Sequence, residues 1–152
     1  MNATRESISV ALFSLFSNSA ALSTICKTIT RSPKIWTEVS PAQMPWLQLF
    51  KGGPDTESFS QVQAIGLTKY VIHYNLWFYM LADPTGMIIA ETVINNASDA
   101  IDAAMQAGRK GERQTLGGLV TNAWIDGGSE WGREMEDENI VVGWRISVET
   151  GI

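Results

Sequence analysis

Apolar and polar positions recur with two different periods along this chain, and each change of period marks an element. Near the N-terminus, Ile8, Ala11, Leu12, Leu15 and Phe16 fall at helical spacing. That predicts an amphipathic helix over about 4–16. Thr4 is placed to cap it, and Glu6 sits favourably in its first turn. Ser17-Asn18-Ser19 weakens the helix, and a short second turn is expected over 20–23. Ile25, Thr28, Ile29 and Thr30 then suit a short strand, which Ser32-Pro33 stops. Pro41 and Pro45 bracket a loop, and Trp46-Leu47-Gln48-Leu49-Phe50 reads as a short buried strand. Lys51-Gly52-Gly53-Pro54-Asp55 ends that strand with turn chemistry, and the polar stretch 56–63 is expected to be loop.

The period then changes to two. Tyr70, Ile72, Tyr74, Leu76 and Phe78 point one way; Lys69, Val71, His73, Asn75 and Trp77 point the other. This predicts a strand over about 66–81, far longer than the usual ~5–6 residues. Such a strand is expected to bend, or to extend past its own domain. Asp83-Pro84-Thr85-Gly86 ends it as a turn. Helical spacing returns in Ile89, Val93, Ala97, Ala100, Ile101, Ala104 and Met105, giving a helix over about 85–107 with Gly108 just past its end. Gly117-Gly118 precedes a strand at 121–126, where it permits an unusual backbone conformation or the close approach of another chain. After an acidic loop, Ile140, Val142, Trp144, Ile146 and Val148 alternate with Val141, Gly143, Arg145, Ser147 and Glu149. The two strands are expected to form a terminal hairpin. The order implies an α+β domain, with two helices packed on one face of a mainly antiparallel or mixed sheet, and residues 1–152 forming a single domain.

Composition narrows the function classes. A net charge of −5 and scattered basic residues argue against a general nucleic-acid binder. Six Trp, three Tyr and five Phe favour a β-rich core or a surface buried on assembly. One cysteine, Cys26, excludes an internal disulfide, and one histidine with one cysteine cannot supply a tetrahedral zinc site. Arg5 before an apolar 8–16 outlines a signal peptide, but Glu6, Ser9 and Ser14 interrupt it, so an amphipathic helix is the better reading.

Catalytic readings fail on residue counts. His73 is the sole candidate base, lies mid-strand and has no nucleophile motif beside it. In Gly127-Gly128-Ser129-Glu130-Trp131 a tryptophan stands where a nucleophile elbow needs glycine. A pairing of Cys26 with His73 has no local support, and no Walker loop or G-x-G-x-x-G is present. No catalytic, cofactor-binding or metal-ligating residue is expected. Asp99 and Asp102 read as a solvated helix face. Glu134, Glu136, Asp137 and Glu138 place four acids within five positions and create a strong local field, able to repel DNA or steer a basic partner.

Two stretches carry a family resemblance. One is Trp36 through 37–43, then Pro45-Trp46-Leu47-Gln48-Leu49-Phe50 and Lys51-Gly52-Gly53. The other runs from 99–105 through Gly111-Glu112-Arg113-Gln114-Thr115-Leu116-Gly117-Gly118-Leu119-Val120 and Trp124-Ile125-Asp126-Gly127 to 140–148. Together they resemble the tail terminator, or tail completion, proteins of long-tailed bacteriophages. Gln114, Thr115, Leu116, Gly117 and Gly118 form the structural signature, and the 127–139 loop with Trp131 departs from the pattern. The resemblance implies a cofactor-free, non-enzymatic subunit that assembles as a ring, commonly a hexamer. The ring caps the tail tube and offers its other face to the head–tail connector, while DNA passes through its lumen without specific binding. The location implied is the virion tail, reached through the host cytoplasm during assembly. The acidic cluster is then expected at the lumen or a docking face. The alternatives are another neck or tube subunit, or a small hydrolase or ligand-binding domain using His73.

Overall fold

The computed structural model describes residues 3–51, 57–62, 67–83, 85, 87, 89–127, 130–134 and 139–151. Among the described residues three helices, α1 (Arg5–Ser17), α2 (Ala20–Ile25) and α3 (Ala90–Gln106), accompany seven strands. The strands are β1 (Thr28–Thr30), β2 (Trp46–Phe50), β3 (Glu57–Val62), β4 (Leu67–Leu81), β5 (Asn122–Ile125), β6 (Glu130–Glu134) and β7 (Asn139–Gly151). The fold is α+β, with one mixed sheet and helices in its helix-side core; three helices stand where two were expected.

β4 and β7 are the spine of the sheet. They pair antiparallel from Lys69↔Gly151 to Leu81↔Asn139. On the far side of β4, β3 pairs with the first half and β2 with the second. On the far side of β7, β6 pairs with the first half and β5 with the second. β1 adds to β2 in parallel. Period-two patterning is what fixes this register, because a slip of one residue would turn every apolar side chain to the wrong face. Ile72, Tyr74, Leu76 and Phe78 of β4 and Ile140, Val142, Trp144, Ile146 and Val148 of β7 meet the helices in one core. α1 contributes Ile8, Leu12 and Phe16, and α3 contributes Ile94, Ala97, Ala100, Ile101, Ala104 and Met105.

Several expectations need correction. The long strand does not project as a free margin, since β7 pairs with it from residue 69 to residue 81. The polar stretch 56–63 contains β3, an edge strand that needs no apolar face because it joins the sheet beside the buried β4. The 127–139 segment is not loop throughout: β6 occupies 130–134 and forms the closing hairpin with β7, while β5 joins β7 further along. Helix α3 begins at Ala90, not near residue 85. Asp83 Oδ1 accepts from the Thr85 amide at 2.9 Å and its hydroxyl at 2.7 Å. Those side-chain bonds satisfy the backbone in a non-helical turn and delay the helix. Ile89 accordingly leaves the expected stripe and is 63% exposed.

Candidate assembly surface

The motif 114–118 is built to close the C-terminal end of α3. A helix leaves its last carbonyls without intrahelical donors. The Gln114 side chain, 2% exposed, donates from Nε2 to the Met105 carbonyl at 2.8 Å and the Ala107 carbonyl at 2.7 Å. Its Oε1 accepts from the Leu116 amide at 3.1 Å. One buried amide thus uses both donors and its acceptor. Gly108 follows the helix at φ +68°, the left-handed position expected there. Leu116, Gly117 and Gly118 also have positive φ, at +51°, +73° and +93°. The Thr115 carbonyl accepts from the amides of Gly118 and Val120 at 3.0 and 3.1 Å, closing the turn. A Cβ at Gly117 or Gly118 would meet nothing within 4 Å inside the chain. The glycines are therefore required by backbone conformation, not by close approach within the subunit. The motif is a structural clamp that delivers the chain from α3 into β5.

Among the described residues the unpaired margins of the sheet lie on β1, β3, β5 and β6, all short strands. β3 is fastened to the helix layer by its first residue. Glu57 receives Arg5 through two nitrogens, at 2.7 and 3.2 Å, and also pairs with Lys51. Hydrogen bonds from Arg5 and then Lys51 hold the Glu57 carboxyl at about 2. Arg5 also lies 5.6 Å from the centroid of the Tyr70 ring.

The second face of the sheet is partly covered by the connection between β1 and β2. Val39, Met44, Trp46 and Tyr79 form a small core there. Gln48, 1% exposed, accepts from Trp46 Nε1 and from the Lys34 amide, both at 2.9 Å, and donates to Tyr79 Oη at 3.1 Å. Tyr79 in turn donates to the Lys34 carbonyl at 2.7 Å. Burial pushes the Tyr79 hydroxyl up to about 12, so it remains a donor at ordinary pH. At the same end of the sheet, Ile25, Met44, Met80 and Val93 line an apolar groove of about 440 Å³. Met87 is 86% exposed on the adjoining β4–α3 connection.

The candidate catalytic residues are not assembled for catalysis. Cys26 is buried in the helix-side core, and burial pushes its thiol up to about 12. A buried thiol of that kind is inert. His73 lies on the opposite face, where Nδ1 is 2.8 Å from Ser147 Oγ. Ser147 Oγ donates to Asp126 Oδ2 at 2.7 Å and the residue is fully buried. A triad needs the imidazole between the serine and the carboxylate; here the serine stands between them. Neither Ser147 nor Asp126 had been singled out for this role, and only their period-two placement beside His73 could have suggested it. Among the described residues no cluster of three or more His, Cys, Asp or Glu could hold a metal ion.

Of the acidic cluster, Glu134 is the last residue of β6, its backbone paired with Asn139. Glu136, Asp137 and Glu138 lie outside the described residues. Among the described residues, no helix is long and apolar enough to cross a membrane.

No protein-family model and no curated protein sequence matches the chain. Among solved structures, the chain is similar to one from the virion of a native gene transfer agent particle, with a TM-score of 0.61. The two are 11% identical, and the alignment covers 95% of each, so the likeness is one of fold over nearly the whole of both chains.

Proposed function

We propose that this chain is a structural subunit of a phage-like particle, and that it caps the tail tube as a closed ring. The observation that carries the reading is the fold likeness to a virion chain across 95% of both partners. The terminator-like signature around Gln114 supports the same assignment independently. In this proposal the ring is a hexamer built from copies of one subunit, which ends tube polymerisation and offers a surface for head–tail joining. Its neighbours are the tail tube protein and a connector or neck protein. It is a non-enzymatic component of the virion, made in the host cytoplasm.

The physical route is contact at the short sheet margins, since a ring satisfies exposed backbone groups that would otherwise invite open-ended association. Glu134, Glu136, Asp137 and Glu138 are proposed to face the lumen or a docking surface. Acidic walls offer phosphates no cationic partners, so DNA would slide past. The second reading, a neck or tube subunit, shares the fold argument and differs in closure, because a tube subunit polymerises without limit. A hydrolase using His73 is disfavoured by the position of Ser147, whose proton is committed to Asp126.

Electron microscopy of tails assembled without this protein tests the role. The expected outcome is tubes of uncontrolled length that lack heads. Normal particles would overturn the proposal.

A further inference from the structure

The string Asp126–Ser147–His73 crosses three adjacent strands on the face of the sheet opposite the helices. Its members come from the end of β5, from β7 and from β4, and its two links are 2.7 and 2.8 Å. The polarity of the string follows from chemistry. A carboxylate only accepts hydrogen bonds. Ser147 has one hydroxyl proton, and Asp126 Oδ2 takes it. Ser147 Oγ can then meet His73 only as an acceptor, so Nδ1 must carry the hydrogen. We propose that this string is a directional latch: Asp126 sets its polarity, directs the Nδ1–H of His73 onto Ser147, and thereby ties the β5 corner to the central strand.

The latch has a mechanical consequence. Asp126 is also held by its own amide, which donates to the Arg145 carbonyl at 2.7 Å. Gly127 follows at φ +112°, turning the chain away from β5 towards β6. Asp126 and Gly127 line a groove of about 340 Å³ with Trp77, Gly143 and Arg145. Trp77 lies close over Gly143, where a Cβ would come within 3.3 Å of its ring. The string therefore positions one wall of this groove against the strand that carries the other. Arg145 and Glu149 of β7 share this face with the string. The serine proton decides which nitrogen carries the hydrogen in the neutral ring, whereas a charged ring carries one on both.

The chain has a single histidine, so nitrogen NMR of histidine-labelled protein reads this site alone. The spectra are read at the alkaline plateau of a pH titration, where the ring signals no longer shift and the ring is neutral. The wild type is expected to show a protonated Nδ1 and an unprotonated Nε2. In D126A the acceptor is gone, the Ser147 hydroxyl is free to donate to His73 Nδ1, and the tautomer is expected to flip to Nε2–H. The Asp126 amide is expected to exchange with solvent at least about tenfold faster in S147A than in the wild type. A wild-type ring found as Nε2–H overturns the proposal, and this measurement stands even if a variant fails to fold. A folded D126A that keeps the wild-type tautomer overturns it as well.

Discussion

Gln114 shows how much one side chain can settle. Its alternation and charge tell nothing, because a glutamine between Arg113 and Thr115 reads as surface. The resemblance marked it as part of a signature without a physical reason. The reason is that α3 ends beneath the turn, and two of its carbonyls need donors that water does not reach. Replacing Gln114 with Ala would orphan the Met105 and Ala107 carbonyls together with the Leu116 amide. The expected loss is about 1–3 kcal/mol, since an unsatisfied buried polar group carries its full desolvation cost. Urea unfolding measures it, and Gln114→Glu should not rescue it, because a carboxylate has no donors. The same limit applies to His73. Its lone place in a strand was legible as structural, but its partners were not, since Asp126 and Ser147 lie 53 and 74 positions away. Contacts at that separation are created by strand register, which single residues do not announce.

At the scale of elements, legibility tracked burial. β2 was readable at Trp46–Phe50 because turn residues frame an apolar run. β4 and β7 were readable because one side of each faces a core and the other does not. β3 escaped because Glu-Ser-Phe-Ser-Gln-Val has too little apolar content to mark a strand, and its place comes from hydrogen bonding to β4 and from Glu57. β6 escaped for a similar reason, with a glycine and charges inside five residues. This view of β3 makes a pH prediction. The Glu57 carboxyl is lowered from 4.5 to about 2, chiefly by hydrogen bonds from Arg5 and then Lys51. A group depressed in the folded state stabilises it above its unfolded value, and that contribution fades as pH falls through the folded value. Stability from Glu57 should therefore be complete above about pH 5 and vanish between 4.5 and about 2. The gap in urea midpoint between wild type and E57Q should close across that window. Parallel curves would show that the ion pairs do not hold β3.

For the whole molecule, the placement of the spine decides how copies could meet. β4 and β7 are both interior, so the long strand is spent inside the subunit and cannot serve as the joint that its length suggested. The proposed association would then use short margins, the apolar end near Met87, or both. Neither is strong alone, which suits a subunit that closes only when a tube presents a template. In the proposed ring, the acidic cluster would act on what passes through the lumen, not on closure. Six copies at −5 each would repel DNA as a whole, but in the proposed ring only charges facing the lumen would act within about 8 Å, the screening length at physiological salt. The quadruple variant Glu134→Gln, Glu136→Gln, Asp137→Asn, Glu138→Gln should leave subunit stability within about 0.5 kcal/mol if the cluster faces a lumen, as changes on a solvated surface usually do. It should also leave tail length unchanged, because the backbone groups of the β6 margin are kept and the apolar end is untouched. DNA ejection from particles carrying it should slow, and the slowing should diminish at high salt, where phosphate contacts weaken. If tail length changes while ejection does not, the cluster belongs to the joint between subunits, and the lumen of the ring must be lined by another part of the chain.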